Sequence, residues 1–173
     1  MKICCLTIIE DKKNHKLLMV ENLRGINKGF VNFPGGKREF NETIENSSIR
    51  ESLEETGIIP INIKTAGKIV YKPADIEMYI YYCDKFKGCL KNNENETKAF
   101  WVDKDNIPYD RMRSADRIWV KDILDDKYVN LRITYNEDNS FKVENVCENI
   151  EKFKARYRQY MLYRNRRKTN NGR

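Results

Sequence analysis

With 173 residues, 40% of them hydrophobic and 11% aromatic, the chain is long enough for one domain with a sizeable core plus an appendage, and too apolar to be wholly disordered. Its formal net charge of +7 suits a polyanionic partner such as a nucleoside triphosphate, RNA or DNA, although much of the excess lies after Glu151, in Lys152, Lys154, Arg156, Arg158, Arg164, Arg166, Arg167, Lys168 and Arg173. Five cysteines, Cys4, Cys5, Cys83, Cys89 and Cys147, are odd in number and form no C-x-x-C pair, which argues against a disulfide framework or a zinc site and for reduced, mostly buried thiols.

The apolar run that begins the chain is interrupted at Glu10-Asp11-Lys12-Lys13, too soon for a signal peptide or a membrane span, so a cytoplasmic protein is expected. Residues 3–9 and 16–20 read as a hairpin of strands around a polar turn at 11–14, beside which the lone His15 is expected to be solvated. Pro34-Gly35-Gly36 predicts a tight turn in which backbone carbonyls can approach an ion, and residues 43–56 predict a helix that Gly57 stops. Strands follow over 63–71, 76–83 and 99–102. A second helix is predicted over 114–124, with Ser114 as N-cap and Ile118, Val120, Ile123 and Leu124 mostly inward. Strands at 128–135 and 141–143 close a domain over 1–145, and mixed strands with two helices predict an α/β sandwich without internal repeats. Residues 146–173 read as a basic amphipathic helical tail. It either docks on nucleic acid through residues 152–168, on an acidic partner or on a membrane surface, or packs its apolar stripe on its own domain.

The first helix carries the chemistry. Glu51, Glu54 and Glu55 fall at i, i+3 and i+4, so their carboxylates share one patch, while Ile49 and Leu53 are expected to point the other way into a core. At about 6 Å and an effective dielectric of about 20, each pair of carboxylates repels by about 2–3 kcal/mol, a cost that a hard divalent cation removes. Arg50 can pair with Glu54 at i+4 or contact a phosphate. Taken alone, an E-x-x-E-E run is either a solvated helix face or the ion site of a metal-dependent phosphate hydrolase.

Glycine, glutamate, Arg-Glu, Glu-Glu and glycine recur from Gly36 to Ile58 at the spacing G-x5-E-x7-R-E-U-x-E-E-x-G-U, with U apolar. This resembles the Nudix box of nucleoside diphosphate hydrolases, with one departure: Ser52 stands where the family places an aliphatic residue, which predicts a weakened core contact. Asn32-Phe-Pro-Gly-Gly-Lys37, Glu96 upstream of Phe100-Trp101, and the run from Ile107 through Asp116-Arg-Ile-Trp119 extend the resemblance to the MutT-like, 8-oxo-dGTP diphosphatase branch, over Lys2 to Val143.

That resemblance implies a Nudix fold, a mixed sheet between helices in three α/β/α layers, and hydrolysis of a nucleoside triphosphate to monophosphate and pyrophosphate. It implies one or more Mg²⁺ ions, or Mn²⁺, held by Glu51, Glu54, Glu55 and the Gly35 carbonyl. Glu54, Glu55 or Glu96 would take the proton from water; Lys37 and Arg50 would face phosphates or carboxylates; Asn32 and Asp116 would line the purine pocket. The family's tryptophan and paired aspartates near the second helix correspond here to Arg113 and Ala115-Asp116, and a tryptophan before the asparagine to Val31. Those departures leave open other Nudix substrates: a dinucleotide, ADP-ribose or the 5′ end of RNA.

Overall fold

The structure, a computed structural model, describes residues 1–91 and 96–146. Its elements in chain order are β1 (Lys2–Asp11), β2 (Lys16–Asn22), β3 (Val31–Asn32), α1 (Ile44–Thr56), β4 (Ile58–Ile61), β5 (Lys64–Lys72), β6 (Ile76–Cys83), β7 (Lys85–Gly88), β8 (Thr97–Asp103), α2 (Asp116–Leu124), β9 (Val129–Tyr135) and β10 (Phe141–Asn145). The main sheet runs β10-β9-β5-β6-β1-β2-β3, with β8 also paired to β2; β4 and β7 form a small sheet of their own. β1–β6 and β5–β9 are parallel and the other pairs antiparallel, so the sheet is mixed as expected.

β1 is buried on both faces, and the period of two along it assigns its neighbours. Leu6 and Ile8 enter the main core with Trp119, Val120 and Ile123 of α2, whereas Cys5 clusters with Ile44 of α1 and Thr7 meets Ser48 of the same helix. Helices on opposite faces of one mixed sheet give the three-layer α/β/α arrangement.

The predicted hairpin is only partly formed. β1 and β2 pair at Glu10↔Leu17 and Asp11↔Lys16, then diverge, and β2 takes β8 as its long partner. The side of β1 opened by that divergence is filled by the turn after β3. Thr7 N–H donates to Pro34 O at 2.8 Å, Cys5 N–H to Gly36 O at 2.9 Å, and Arg38 N–H to Ile3 O at 3.0 Å. The short β3, β4 and β7 were not expected.

Two helix faces differ from the expectation. Thr43 caps α1, its hydroxyl accepting from Asn46 N–H at 3.1 Å, but the inward face is Ile44, Ser47, Ser48, Ser52 and Thr56. Leu53 is 45% exposed and Ile49 only half-buried. Small residues win because the helix lies close on β1, and their hydroxyls are satisfied locally: Ser52 donates to Ser48 O at 2.7 Å and Thr56 to Ser52 O at 2.6 Å. In α2 the N-cap position is Ala115, without a side-chain cap, rather than Ser114; Ile118 faces outward while Trp119, Val120 and Ile123 are buried. Cys5 and Cys83 are buried, Cys4 is half-buried and Cys89 exposed, all four free thiols. His15 is exposed, its Nε2 3.2 Å from Asp105 Oδ2. No described helix is long and apolar enough to cross a membrane. From residue 147 on, the basic tail, including residues 152–168, lies outside the described residues.

Candidate active site

The turn at Pro34-Gly35-Gly36 is pressed between β1 and α1, and its glycines are required by close approach. A Cβ on Gly35 would lie 2.1 Å from Cys5 O, and one on Gly36 would lie 2.5–2.6 Å from the Glu51 carboxyl group. The Gly35 N–H donates to Glu55 Oε2 at 2.9 Å. Gly57, in the left-handed region at φ 73°, closes α1 with its N–H on Leu53 O.

The structure puts Glu51, Glu54 and Glu55 on one face of α1, with Arg50 as a counter-charge within the chain. Arg50 is gripped by Glu42 through two bonds, Nη2 to Oε1 at 2.7 Å and Nε to Oε2 at 3.1 Å, and its Nη1 reaches Glu51 Oε1 at 2.9 Å and Glu54 Oε2 at 3.0 Å. Its Nη2 also approaches Lys37 O at 3.3 Å. Bonding to Arg50 lowers the Glu42 pKa to about 2. Arg50 therefore orients carboxylates, and part of the repulsion among the glutamates is relieved by this guanidinium. Burial raises the Glu55 pKa to about 8, aided by the charges of Glu51, Glu96 and Glu54, and burial raises that of Glu51 as well. Glu54 and Lys37 are exposed. Glu96 is exposed and ion-paired with Arg24.

A second feature lies on the α2 side of β1: a cavity of about 530 Å³ whose lining includes Asn32, Tyr71, Arg113, Asp116 and Tyr135. Asp116 is 1% exposed. Its Oδ1 accepts from Trp119 Nε1 at 2.9 Å, while its Oδ2, also buried, has no hydrogen-bond partner among the described residues. Burial raises its pKa to about 6. Asn32 commits its carbonyl oxygen to Phe33 N–H at 2.8 Å, which leaves its amide hydrogens as donors. Tyr71 and Tyr135 stack with ring centroids 6.5 Å apart and planes 14° apart. From Asn32 in the cavity to Gly35 at Glu55 is three residues, at most about 10 Å of chain, comparable to the span from a nucleobase across its sugar into the polyphosphate.

The family resemblance groups Asn32 with Asp116 and helical spacing groups the three glutamates; the structure places the first two in the lining of one cavity and the glutamates on one face of α1. Sequence reasoning had not found Glu42 as the anchor of Arg50, nor Tyr71 and Tyr135 as cavity walls. The glutamate of the G-x5-E spacing was a signal for the former; nothing in the strand pattern singled out the tyrosines. Among the described residues, the group of metal-type donors whose ligating atoms all lie within 4.8 Å of one another is His15, Asp103 and Asp105, exposed at the opposite end of β1. Glu51, Glu54 and Glu55 are spread more widely, with Arg50 bonded to two of them.

A NUDIX domain model matches residues 2–123. Over 126 residues the chain is 29% identical to the oxidized purine nucleoside triphosphate hydrolase of Danio rerio, covering 70% of this chain and 80% of that protein. It is 31% identical over 103 residues to the ADP-ribose pyrophosphatase of Methanocaldococcus jannaschii, covering 56% and 60%. Among solved structures, the MutT protein from Bacillus halodurans matches with a TM-score of 0.69 at 22% identity, over 83% of this chain and 98% of that one, a likeness of fold.

Proposed function

Since this chain belongs to the NUDIX domain family and is a Nudix pyrophosphohydrolase, we propose that it converts purine nucleoside triphosphates, 8-oxo-dGTP among them, to the monophosphate and pyrophosphate. The observation that carries this reading is the buried Asp116 carboxylate, with one oxygen unpartnered, in a cavity three residues of chain away from the glutamate helix. A carboxylate accepts from the N1–H and N2–H groups of a guanine-type edge, and the Asn32 amide can donate to its O6. The stacked tyrosines and apolar walls accommodate a planar base.

The residues beside Gly35 fit a hard divalent cation. They offer oxygen donors only, two of the carboxylates are raised in pKa by burial and like charge, and Gly36 leaves bare the space beside the Glu51 carboxylate. Glu51, Glu54, Glu55 and the Gly35 carbonyl would hold Mg²⁺, with Mn²⁺ as the alternative. When bound, the cation supplies charge compensation for phosphate oxygens and Lewis acidity toward water.

Arg50, anchored by Glu42, holds Glu51 and Glu54 in place. Glu55, held by the Gly35 N–H, is the proton acceptor we favour for the attacking water. Glu54 and Glu96 are the alternatives. Lys37, exposed at the edge of the turn, is available to a phosphate.

The test is kcat/KM with Mg²⁺ for 8-oxo-dGTP, dGTP, dATP, ADP-ribose, a dinucleoside polyphosphate and 5′-triphosphate RNA, beside Glu54→Gln. Purine triphosphates are expected to lead, with a loss of about 10²-fold or more in the variant. A lead by ADP-ribose, the dinucleotide or RNA would replace this substrate and leave the glutamate site standing.

A further inference from the structure

Base recognition through Asp116 and Asn32 leaves two charged groups of the cavity lining unused: Lys72, which is ion-paired with Asp75, and Arg113. Arg113 lines the cavity, and its Nη2 donates to Asn27 Oδ1 at 3.0 Å, in the loop between β2 and β3. That bond occupies one of five guanidinium N–H donors. The Arg113 charge acts on Tyr71, Asp116 and Tyr135, opposing the effect of burial on each, so the guanidinium sits within electrostatic reach of the cavity's polar groups. The cavity thus presents an acceptor at Asp116 and donors at Asn32 and Arg113.

Guanine has the matching arrangement. Its Watson–Crick edge offers the N1–H and N2–H donors, and O6 and N7 are adjacent acceptors, the pair that arginine commonly engages. Oxidation at C8 places a hydrogen on N7 and turns that acceptor into a donor. A guanidinium has no acceptor with which to meet it.

We propose that Arg113 is a specificity-determining residue that reads the bare N7 of guanine, so that this enzyme favours dGTP over 8-oxo-dGTP. The proposal rests on the purine triphosphate reading above and narrows it. Asn27 holds the guanidinium at the exposed rim of the cavity, and discrimination comes from a hydrogen bond gained with the bare N7 and replaced by donor facing donor when N7 carries a hydrogen.

The experiment compares kcat/KM for dGTP, 8-oxo-dGTP and 7-deaza-dGTP, in which N7 is replaced by a carbon, using wild-type protein, Arg113→Ala and Arg113→Lys. Thermal unfolding of each variant reports whether it is folded. In the wild type, dGTP is expected to exceed each of the other two by about tenfold, as for one charge-assisted hydrogen bond. Both ratios should shrink toward unity in Arg113→Ala. Arg113→Lys keeps the charge without the planar fork and should recover the discrimination only in part. Hydrolysis of all three at similar rates by the wild type, or a preference for 8-oxo-dGTP, overturns the inference and leaves the purine reading intact. So do wild-type ratios that persist in a folded Arg113→Ala. Failure to hydrolyse any of the three overturns both.

Discussion

At Asp116 burial and charge oppose each other. The folded protein holds this proton more tightly than the unfolded chain, because its pKa rises from 3.8 to about 6. The stability it contributes is therefore greatest below about pH 4 and declines as pH rises through about 6. Binding runs the other way, since only the ionised carboxylate offers both oxygens as acceptors to a guanine edge. We expect kcat/KM for dGTP to rise with pH through about 6 and then level, and Asp116→Asn to remove that limb while stabilising the fold at pH 8; a pH–rate profile that keeps its limb in the variant would assign it to another group. Gly36 offers a second test. A Cβ there meets the far end of the flexible Glu51 side chain, so Gly36→Ala should unfold within about 1 kcal/mol of wild type yet lose at least about tenfold in kcat by displacing that carboxylate. The Glu51, Glu54 and Glu55 patch was legible because helical spacing is local. The roles of Asn32 and Asp116 came only from family resemblance, since both residue types are common in turns and nothing nearby in the sequence marks them as cavity residues.

At the scale of the element, α1 shows why a hydrophobic pattern can mislead. The expectation placed its apolar side chains inward, but apart from Ile44 the buried face of α1 is made of small hydroxyl residues, Ser47, Ser48, Ser52 and Thr56, all fully buried. Ser52 is not a weakened aliphatic contact; it is the size that the interface accepts. Ser52→Leu should overpack it and cost about 1–3 kcal/mol, read from urea unfolding, and a stabilising outcome would mean that the helix can move off the strand. Thr43→Ala should cost about 1 kcal/mol by removing the cap on Asn46 N–H. The same lesson holds in α2, where Ile118 is exposed and Trp119 fills the core. Ends of helices were read more securely: the stop at Gly57 follows from backbone conformation, which needs no knowledge of neighbours. At the start of α2 the expected cap, Ser114, is one residue early: the N-cap position falls on Ala115, which offers no side-chain cap.

For the whole molecule, the decisive feature is the divergence of β1 from β2, which admits the glycine turn and places it against α1 on one face while Asn32 reaches the cavity on the other. The proposed cation would bind the folded glutamate site and not the dispersed residues of an unfolded chain. Adding Mg²⁺ at about 100 times its Kd should therefore stabilise by about 2.7 kcal/mol and raise Tm by several degrees, a gain that Glu51→Gln should abolish if the carboxylates are the ligands. An unchanged gain in that variant would move the ion elsewhere. By itself the sequence determined the strand and helix alternation, the turn glycines, the end of α1 and the convergence of three glutamates, because each is set by φ/ψ preference or by a fixed repeat over a few residues. Only the tertiary structure decided that α1 turns a hydroxyl face to β1, that Glu42 anchors Arg50 among the glutamates, and that Tyr71, Arg113, Asp116 and Tyr135 close on one cavity. Those outcomes depend on the distance between layers and on strands paired across most of the chain, and no local pattern carries either.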